Sequence, residues 1–227
     1  TAEYAAILEP GGDLAYGIAD MAIFDRMTPE LLANAAPSLA AARLVFVDCN
    51  LPAATLAALI EQRRAGRFEL AIDAVSTPKV KKLPDDLSGV DLLFLNLDEA
   101  SAYLESSFSR NINGMEKAAK ALIEAGASAV ILTSGALGAV VANGGGASHV
   151  PVVAARPVDM TGAGDAMIAG TLHHYLHSGT LHEAVRRGAL IAALTTESAA
   201  SVHPQMSPHF VEANLHRLAP IEGEARV

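Results

Sequence analysis

The sequence predicts an α/β fold, with a mostly parallel central sheet flanked by helices on both faces. Two observations carry that reading. Near-continuous apolar runs such as LVFVDCN (44–50) and VDLLFLN (90–96) end in polar residues, as strands buried on both faces of a parallel sheet do. Stretches with helix signals alternate with these runs, and that alternation makes a sheet sandwiched between helices.

Each element follows from its own residues. EYAAIL (3–8) and LAYGIA (14–19) are β-rich runs around the turn EPGGD (9–13), hence a hairpin. In MTPELLANA (27–35), Thr28 is the expected helix cap, Pro29 the first helical residue and Glu30 a first-turn acid. Strand 44–50 is followed by a helix over 52–64, a strand RFELAIDAV (67–75) and the strand over 90–96. Helices are expected near 97–104 and 114–125, around a strand ASAVILTSG (127–135). GAVVANGGGASHVPVV (138–153) reads as a hairpin turning at Gly144–Gly146, because a strand rather than a helix follows the glycines. Helices near 164–178, 181–198 and 207–216 close the chain. With no repeat, low-complexity tract or linker, residues 1–227 read as a single domain.

Bulk composition narrows the function. Hydrophobic residues make up 51% and charged residues 18%, which supplies a real core and excludes disorder. A formal charge of −9 argues against a nucleic-acid polymer or an acidic membrane as the main partner. No apolar run reaches the length of a membrane span. A single cysteine, Cys49, forms no internal disulfide, so a reducing, cytoplasmic setting is expected. Cys49 itself reads as a small buried residue with no histidine to activate it.

In parallel sheets ligands bind beyond the carboxyl ends of the strands. The polar residues there are Asp48 and Asn50, Asp73 and Ser76, Asn96 and Glu99, and Thr133 to Gly135, joined by the turn at 161–165. That turn, TGAGD, heads the helix over 164–178. A helix start leaves N–H groups unpaired and carries partial positive charge. Gly162, Ala163 and Gly164 would let an anion approach those amides, and Asp165 beside them would stay ionised and accept a proton from a hydroxyl. Base plus anion hole is the equipment for phosphoryl transfer to an alcohol. A tight strand-to-helix turn capped by Asp165 accounts for the same residues, and the turn is neither a Walker A loop nor GxGxxG.

The stretch VDMTGAGDA (158–166) resembles the D-T-x-G-A-G-D signature of the ribokinase-like (PfkB) carbohydrate kinases, and the resemblance runs along essentially the whole chain. FLNLDEASAYL contains Asn96-x-x-Glu99, similar to the family's N-x-x-E, and TSGALG (133–138) resembles its T-x-G-x-x-G. The resemblance implies Asp165 as catalytic base and the Gly162–Gly164 amides on the transferring phosphoryl. It implies ATP as phosphate donor, with Asn96 near the phosphates and Glu99 holding the water shell of Mg²⁺. A single carboxylate suffices for that, since Mg²⁺ keeps most of its waters; a first-turn acid balancing the helix dipole is the plainer alternative. Thr133 and Gly135 would line the nucleotide and Gly138 the turn after the strand, while the loop at Asp159 and Thr161 would hold K⁺, with Met160 where the family has Thr.

Within the family, GIADMAIFDRMTPELL (17–32), FVDCNLP (46–52), DAVSTPKVKKLP (73–84), the D-M-T-G-A-G-D form and LTTESAASVHPQMS (194–207) resemble the pseudouridine kinases. The acceptor implied is the 5′-hydroxyl of pseudouridine or a related nucleoside; ribokinases, other sugar kinases and a non-catalytic nucleotide-binding relative remain alternatives. The hairpin over 1–24 is similar to the family's lid strands, which implies a homodimer. The family's N-terminal part, with its first strands and a Gly-Gly substrate motif, is not in these 227 residues, so the chain is expected to be a fragment. His173, His174 and His177 read as surface or helix-end residues rather than a zinc site, since the Glu of H-E-x-x-H is missing. Lys79, Lys81 and Lys82 read as a solvated turn rather than a phosphate contact.

Overall fold

The computed structural model describes residues 1–9, 14–177 and 179–220. These group into two compact units, one of Thr1–Ala6 with Gly17–His149 and one of Ile7–Tyr16 with Val150–Val227. Strands β1 (Glu3–Leu8) and β2 (Leu14–Asp20) form a two-stranded sheet, as the hairpin reading expects; its turn, Pro10–Asp13, lies outside the described residues. Tyr4 and Ile18 on this ribbon are 54% and 63% exposed.

The first unit is built on a six-stranded sheet: β3 (Leu44–Asp48), β4 (Glu69–Asp73), β5 (Leu92–Asn96), β6 (Ala129–Thr133), β7 (Ala139–Asn143) and β8 (Gly146–Val150), in that spatial order. Strands β3 to β6 run parallel and β7 turns back antiparallel to β6, so the sheet is mixed with a parallel core. Leu92–Leu95 and Ala129–Leu132 are buried residue after residue, the mark of a sheet covered on both faces. The helices α3 (Ala53–Ala65), α5 (Leu97–Tyr103) and α6 (Ile112–Glu124) pack on it, α3 against β4, α5 against β5 and α6 against β6 and β7. Leu56, Ile72, Leu93, Met115 and Leu132 are fully buried between these layers. By contrast β3, which the sequence reading expects to be buried on both faces, is only half-buried and leaves Phe46 45% exposed, because among the described residues it is the last strand on its side of the sheet.

Further departures from the sequence reading fall in short helical segments. The helix expected at 27–35 is α1 (Pro29–Ala33), followed by an unforeseen α2 (Ala36–Ala41), with a 3₁₀ turn at Ala22–Arg26 before them. Thr28 occupies the cap position, but its side chain accepts no cap hydrogen bond, and Pro29 instead fixes the start of the helix. A four-residue helix, α4 (Thr77–Val80), follows β4 where the sequence reading has only a solvated turn around Lys79.

The second unit centres on α7 (Ala163–His177) and α8 (Leu181–Thr196), with α9 (Pro208–Ala213) and a 3₁₀ turn at Leu215–Arg217 beside them; Ser178, the last residue of the predicted helix, lies outside the described residues. Glycines set the distance between α7 and α8. A Cβ on Gly188 would collide with Thr171 and stand 2.5 Å from the Met167 carbonyl, and one on Gly170 would lie 3.1 Å from the Gly188 Cα. Among the described residues, no helix is long and apolar enough to cross a membrane.

Candidate active site

At the carboxyl edge of the sheet the ladder places the predicted residues side by side. Asp48 is the register partner of Asp73, and Asn96 that of Thr133. Asn96 and Glu99 form a complete capping box at the start of α5. Asn96 Oδ1 accepts from the N–H groups of Asp98 and Glu99, both at 2.9 Å, and Glu99 Oε2 accepts from the Asn96 N–H at 2.8 Å. Glu99 is 6% exposed, and burial pushes its carboxyl above the ordinary glutamate range, partly offset by the Asn96 N–H. The cap alternative raised by the sequence is therefore physically present. It leaves the second carboxylate oxygen for other work, which suits an Mg²⁺ held through its waters. Among the described residues no group of three or more His, Cys, Asp or Glu could hold a metal directly.

Beyond β6, Gly135 opens a 3₁₀ turn with φ +49° and Gly138 closes it at φ +80°, while the Ser134 N–H donates to the Gly138 carbonyl at 3.0 Å. A Cβ at Gly135 would meet nothing within 4 Å, so this glycine is required by its backbone and leaves open space above it.

The end of β3 holds residues that the sequence reading undervalued. Asp48 accepts from the Asn50 N–H at 2.9 Å and from the Asn50 amide at 2.8 Å. Asn50 Oδ1 in turn accepts from Lys79 Nζ at 2.6 Å, and Lys82 Nζ donates to the carbonyls of Asn50 and Leu51 at 3.1 and 3.2 Å. A solvated turn thus describes Lys81 alone, since Lys79 and Lys82 fold back onto β3 across about thirty residues of chain, too far for a spacing rule to reveal. Cys49 is fully buried, and burial with the nearby Asp73 and Asp48 pushes its thiol up to about 12, so it stays protonated and inert. An apolar cavity of about 190 Å³, lined in part by Leu31, Leu39, Val45 and Leu59, contains none of the candidate residues.

In the second unit the turn before α7 has the form its glycines require. Gly162 has φ +80°, and a Cβ there would run into the Ser201 carbonyl, so two constraints demand glycine. Ser201 belongs to the 194–207 stretch singled out in the sequence, whose role here is to press backbone against this turn. At Gly164 a Cβ would meet nothing within 4 Å, and Asp165 is exposed in the first turn of α7. The Ala163 N–H reaches the Met160 carbonyl only at 3.3 Å, and the Ala166 N–H bonds the Gly162 carbonyl at 2.9 Å. Asp159 accepts from the Thr161 N–H at 2.8 Å, which holds its carboxyl below the usual range. The Val158 and Asp159 N–H groups donate to the Thr196 carbonyl at 2.7 and 3.2 Å, tying this loop to the end of α8. Glu197, fixed by Arg217 at 2.9 Å and by the Arg156 N–H at 2.9 Å, secures the same corner. Farther along α7, His173 and His177 are exposed with ring centroids 4.5 Å apart.

The model of the pfkB family carbohydrate kinases matches residues 4–207. A carbohydrate kinase from Agrobacterium tumefaciens is 35% identical in sequence, with a TM-score of 0.79 over 96% of this chain and 69% of its own. The pseudouridine kinase of Escherichia coli is 28% identical over 203 residues, covering 87% of this chain and 63% of the relative. The ribokinase of Mus musculus is 29% identical over 178 residues, covering 76% and 54%. This chain therefore spans less than two thirds of either curated relative. The ribokinase of Thermotoga maritima, at 20% identity and a TM-score of 0.75, shares the fold.

Proposed function

Because this chain belongs to the pfkB family of carbohydrate kinases, we propose that its single kinase domain transfers the terminal phosphoryl group of ATP to the 5′-hydroxyl of pseudouridine or a closely related nucleoside. The observation that carries the reading is the turn before α7, where Asp165 stands exposed beside a glycine with open space above it. An aspartate at that helix start takes the proton from the acceptor hydroxyl as the oxygen attacks phosphorus. Amides of Gly162–Gly164 offer hydrogen bonds to the phosphoryl oxygens as charge shifts onto them. Asn96 and Glu99 would hold the nucleotide end, Glu99 as the carboxylate toward hydrated Mg²⁺, and Thr133, Gly135 and Gly138 would line the nucleotide. When bound, Mg²⁺ supplies charge neutralisation to the phosphate chain. Asp159 and Thr161 are the K⁺ loop of this reading, and the exposed apolar residues of the β1–β2 ribbon support a homodimer.

Pseudouridine as acceptor rests on the likeness to the Escherichia coli enzyme; the likeness to deoxyribokinase from Salmonella and ribokinase from Mus musculus favours a free pentose as second reading. A panel of pseudouridine, uridine, adenosine, ribose and deoxyribose, followed by ADP release, separates them. Pseudouridine should give the highest kcat/KM, and a preference for a free pentose overturns the nucleoside assignment. Asp165→Asn keeps shape but loses basicity, so kcat should fall on the order of a hundredfold or more while ATP still binds. Undiminished turnover in that variant removes Asp165 from the chemistry.

A further inference from the structure

We infer that Lys79, oriented by Asn50, is a binding residue for the nucleotide's phosphate chain. The inference rests on the kinase reading and adds a contact that the glycine turn and the Asn96–Glu99 box do not supply.

Three observations converge on Lys79. The first is its holder. Asp48 fixes both the backbone N–H and the side-chain amide of Asn50, and the Asn50 oxygen left over receives Lys79 Nζ at 2.6 Å. An amide orients an ammonium without cancelling its charge, and one hydrogen bond uses one of three donors. A lysine placed only to stitch the loop would do what Lys82 does, which is to spend its ammonium on the Asn50 and Leu51 carbonyls.

The second observation is strain. Val75, between β4 and the helix that carries Lys79, has φ +66°, and the Ser76 N–H closes a three-residue turn onto the Ala74 carbonyl at 2.7 Å. A positive-φ turn of this kind is rare, and on a β-branched residue it is strained. It persists because Ala74 and Val80 on either side are fully buried. The strained turn redirects the chain so that α4 begins directly at the carboxyl edge, bringing Lys79 back over β3 rather than out into solvent.

The third observation is the surrounding charge. Asp48, Asp73 and Glu99 all act on the Cys49 thiol to raise its pKa and Lys82 acts to lower it, so three carboxylates stand against one cation whose ammonium is already turned to backbone carbonyls. A phosphate chain reaching Asn96 and Glu99 meets net negative charge unless a cation faces it. Asn50 lies two strands from Asn96 in the order β3-β4-β5, roughly 10 Å at the usual strand spacing. A triphosphate and a lysine side chain together bridge that gap.

The test is calorimetric binding of a non-hydrolysable ATP analogue with Mg²⁺, and separately of adenosine, to wild type, Lys79→Met, Lys79→Arg, Asn50→Ala and Lys82→Met, each with a melting curve. Lys79→Met should weaken the analogue by about tenfold or more while leaving adenosine unchanged, because the lost contact is charge-assisted and to phosphate alone. Lys79→Arg should recover most of that affinity, and Asn50→Ala should fall between. Lys82→Met should lower the melting temperature without changing analogue affinity. If wild type binds the analogue and Lys79→Met binds it equally well, the inference is overturned and the kinase reading stands. If Lys79→Met loses analogue and adenosine alike with a lowered melting temperature, Lys79 is only a cross-link and the inference again fails. Should wild type bind no analogue at all, the kinase reading itself falls and takes the inference with it.

Discussion

Two helix starts in this molecule face the same physical problem and solve it in opposite ways. At Asn96–Glu99 the chain fills its own helix mouth: one oxygen of each side chain accepts from backbone N–H groups and Glu99 is buried. At Gly162–Asp165 two of the four residues are glycine, the one at 164 leaves open space, and the acid is exposed. The first start is already stable without a ligand. The second presents an exposed carboxylate beside that open space, the arrangement on which the proposed phosphoryl transfer draws. Substitutions should therefore carry a stability cost in the first region that they lack at the acid of the second.

The sharpest way to break this comparison is Gly162→Ala. Left-handed backbone and a collision with the Ser201 carbonyl should together cost on the order of 2 kcal/mol, about 4–8 °C in melting temperature, with activity lost as well. An unshifted melting curve would mean that the turn relaxes freely and is not a built feature. Next in size is Asn96→Ala, which removes a cap worth about 1 kcal/mol and should lower the melting temperature by roughly 2–4 °C. Asp165→Asn should leave the melting curve in place, so equal thermal losses in the two variants would erase the distinction.

The smallest effect is in pH. Glu99 is held above its ordinary value of 4.5 by burial, so in the window from there to the raised value the folded state keeps a proton that the unfolded state has lost. Its contribution to stability declines as pH rises through that window. Glu197 is the reverse: hydrogen bonds from Arg217 and the Arg156 N–H hold it below 4.5, and its contribution is lost as pH falls through the lowered value. Glu99→Gln keeps an acceptor for the Asn96 N–H and should flatten only the first dependence, measured as melting temperature against pH. A wild-type profile retained in full by Glu99→Gln would show that another group sets the slope.

The parallel strands β4 to β6 were legible because burial on both faces writes itself as a continuous apolar run, whereas β3 carries the same kind of run and is only half-buried. Ladders end where partners end, so 67–75 and 127–135 shrink to Glu69–Asp73 and Ala129–Thr133. The helix α4 was not legible: four residues including Pro78 hold no periodicity, and the buried Val80 fixes them by tertiary packing. Nothing in the letters DAVS announces φ +66° at a valine, which intrinsic preference opposes. The glycine turn could be read because glycine is the residue that both a positive φ and a close carbonyl demand. Lys79 escaped notice because its partner is Asn50, and a charge cluster in sequence says nothing of the strand it folds onto.

The glycine crossing of α7 and α8 has a mechanical consequence. With main chain nearly touching main chain at positions 170 and 188, the two rods are geared together, and neither can slip past the other by exchanging rotamers. Asp165 stands in the first turn of one rod, so its position is held by the pair rather than by one helix alone.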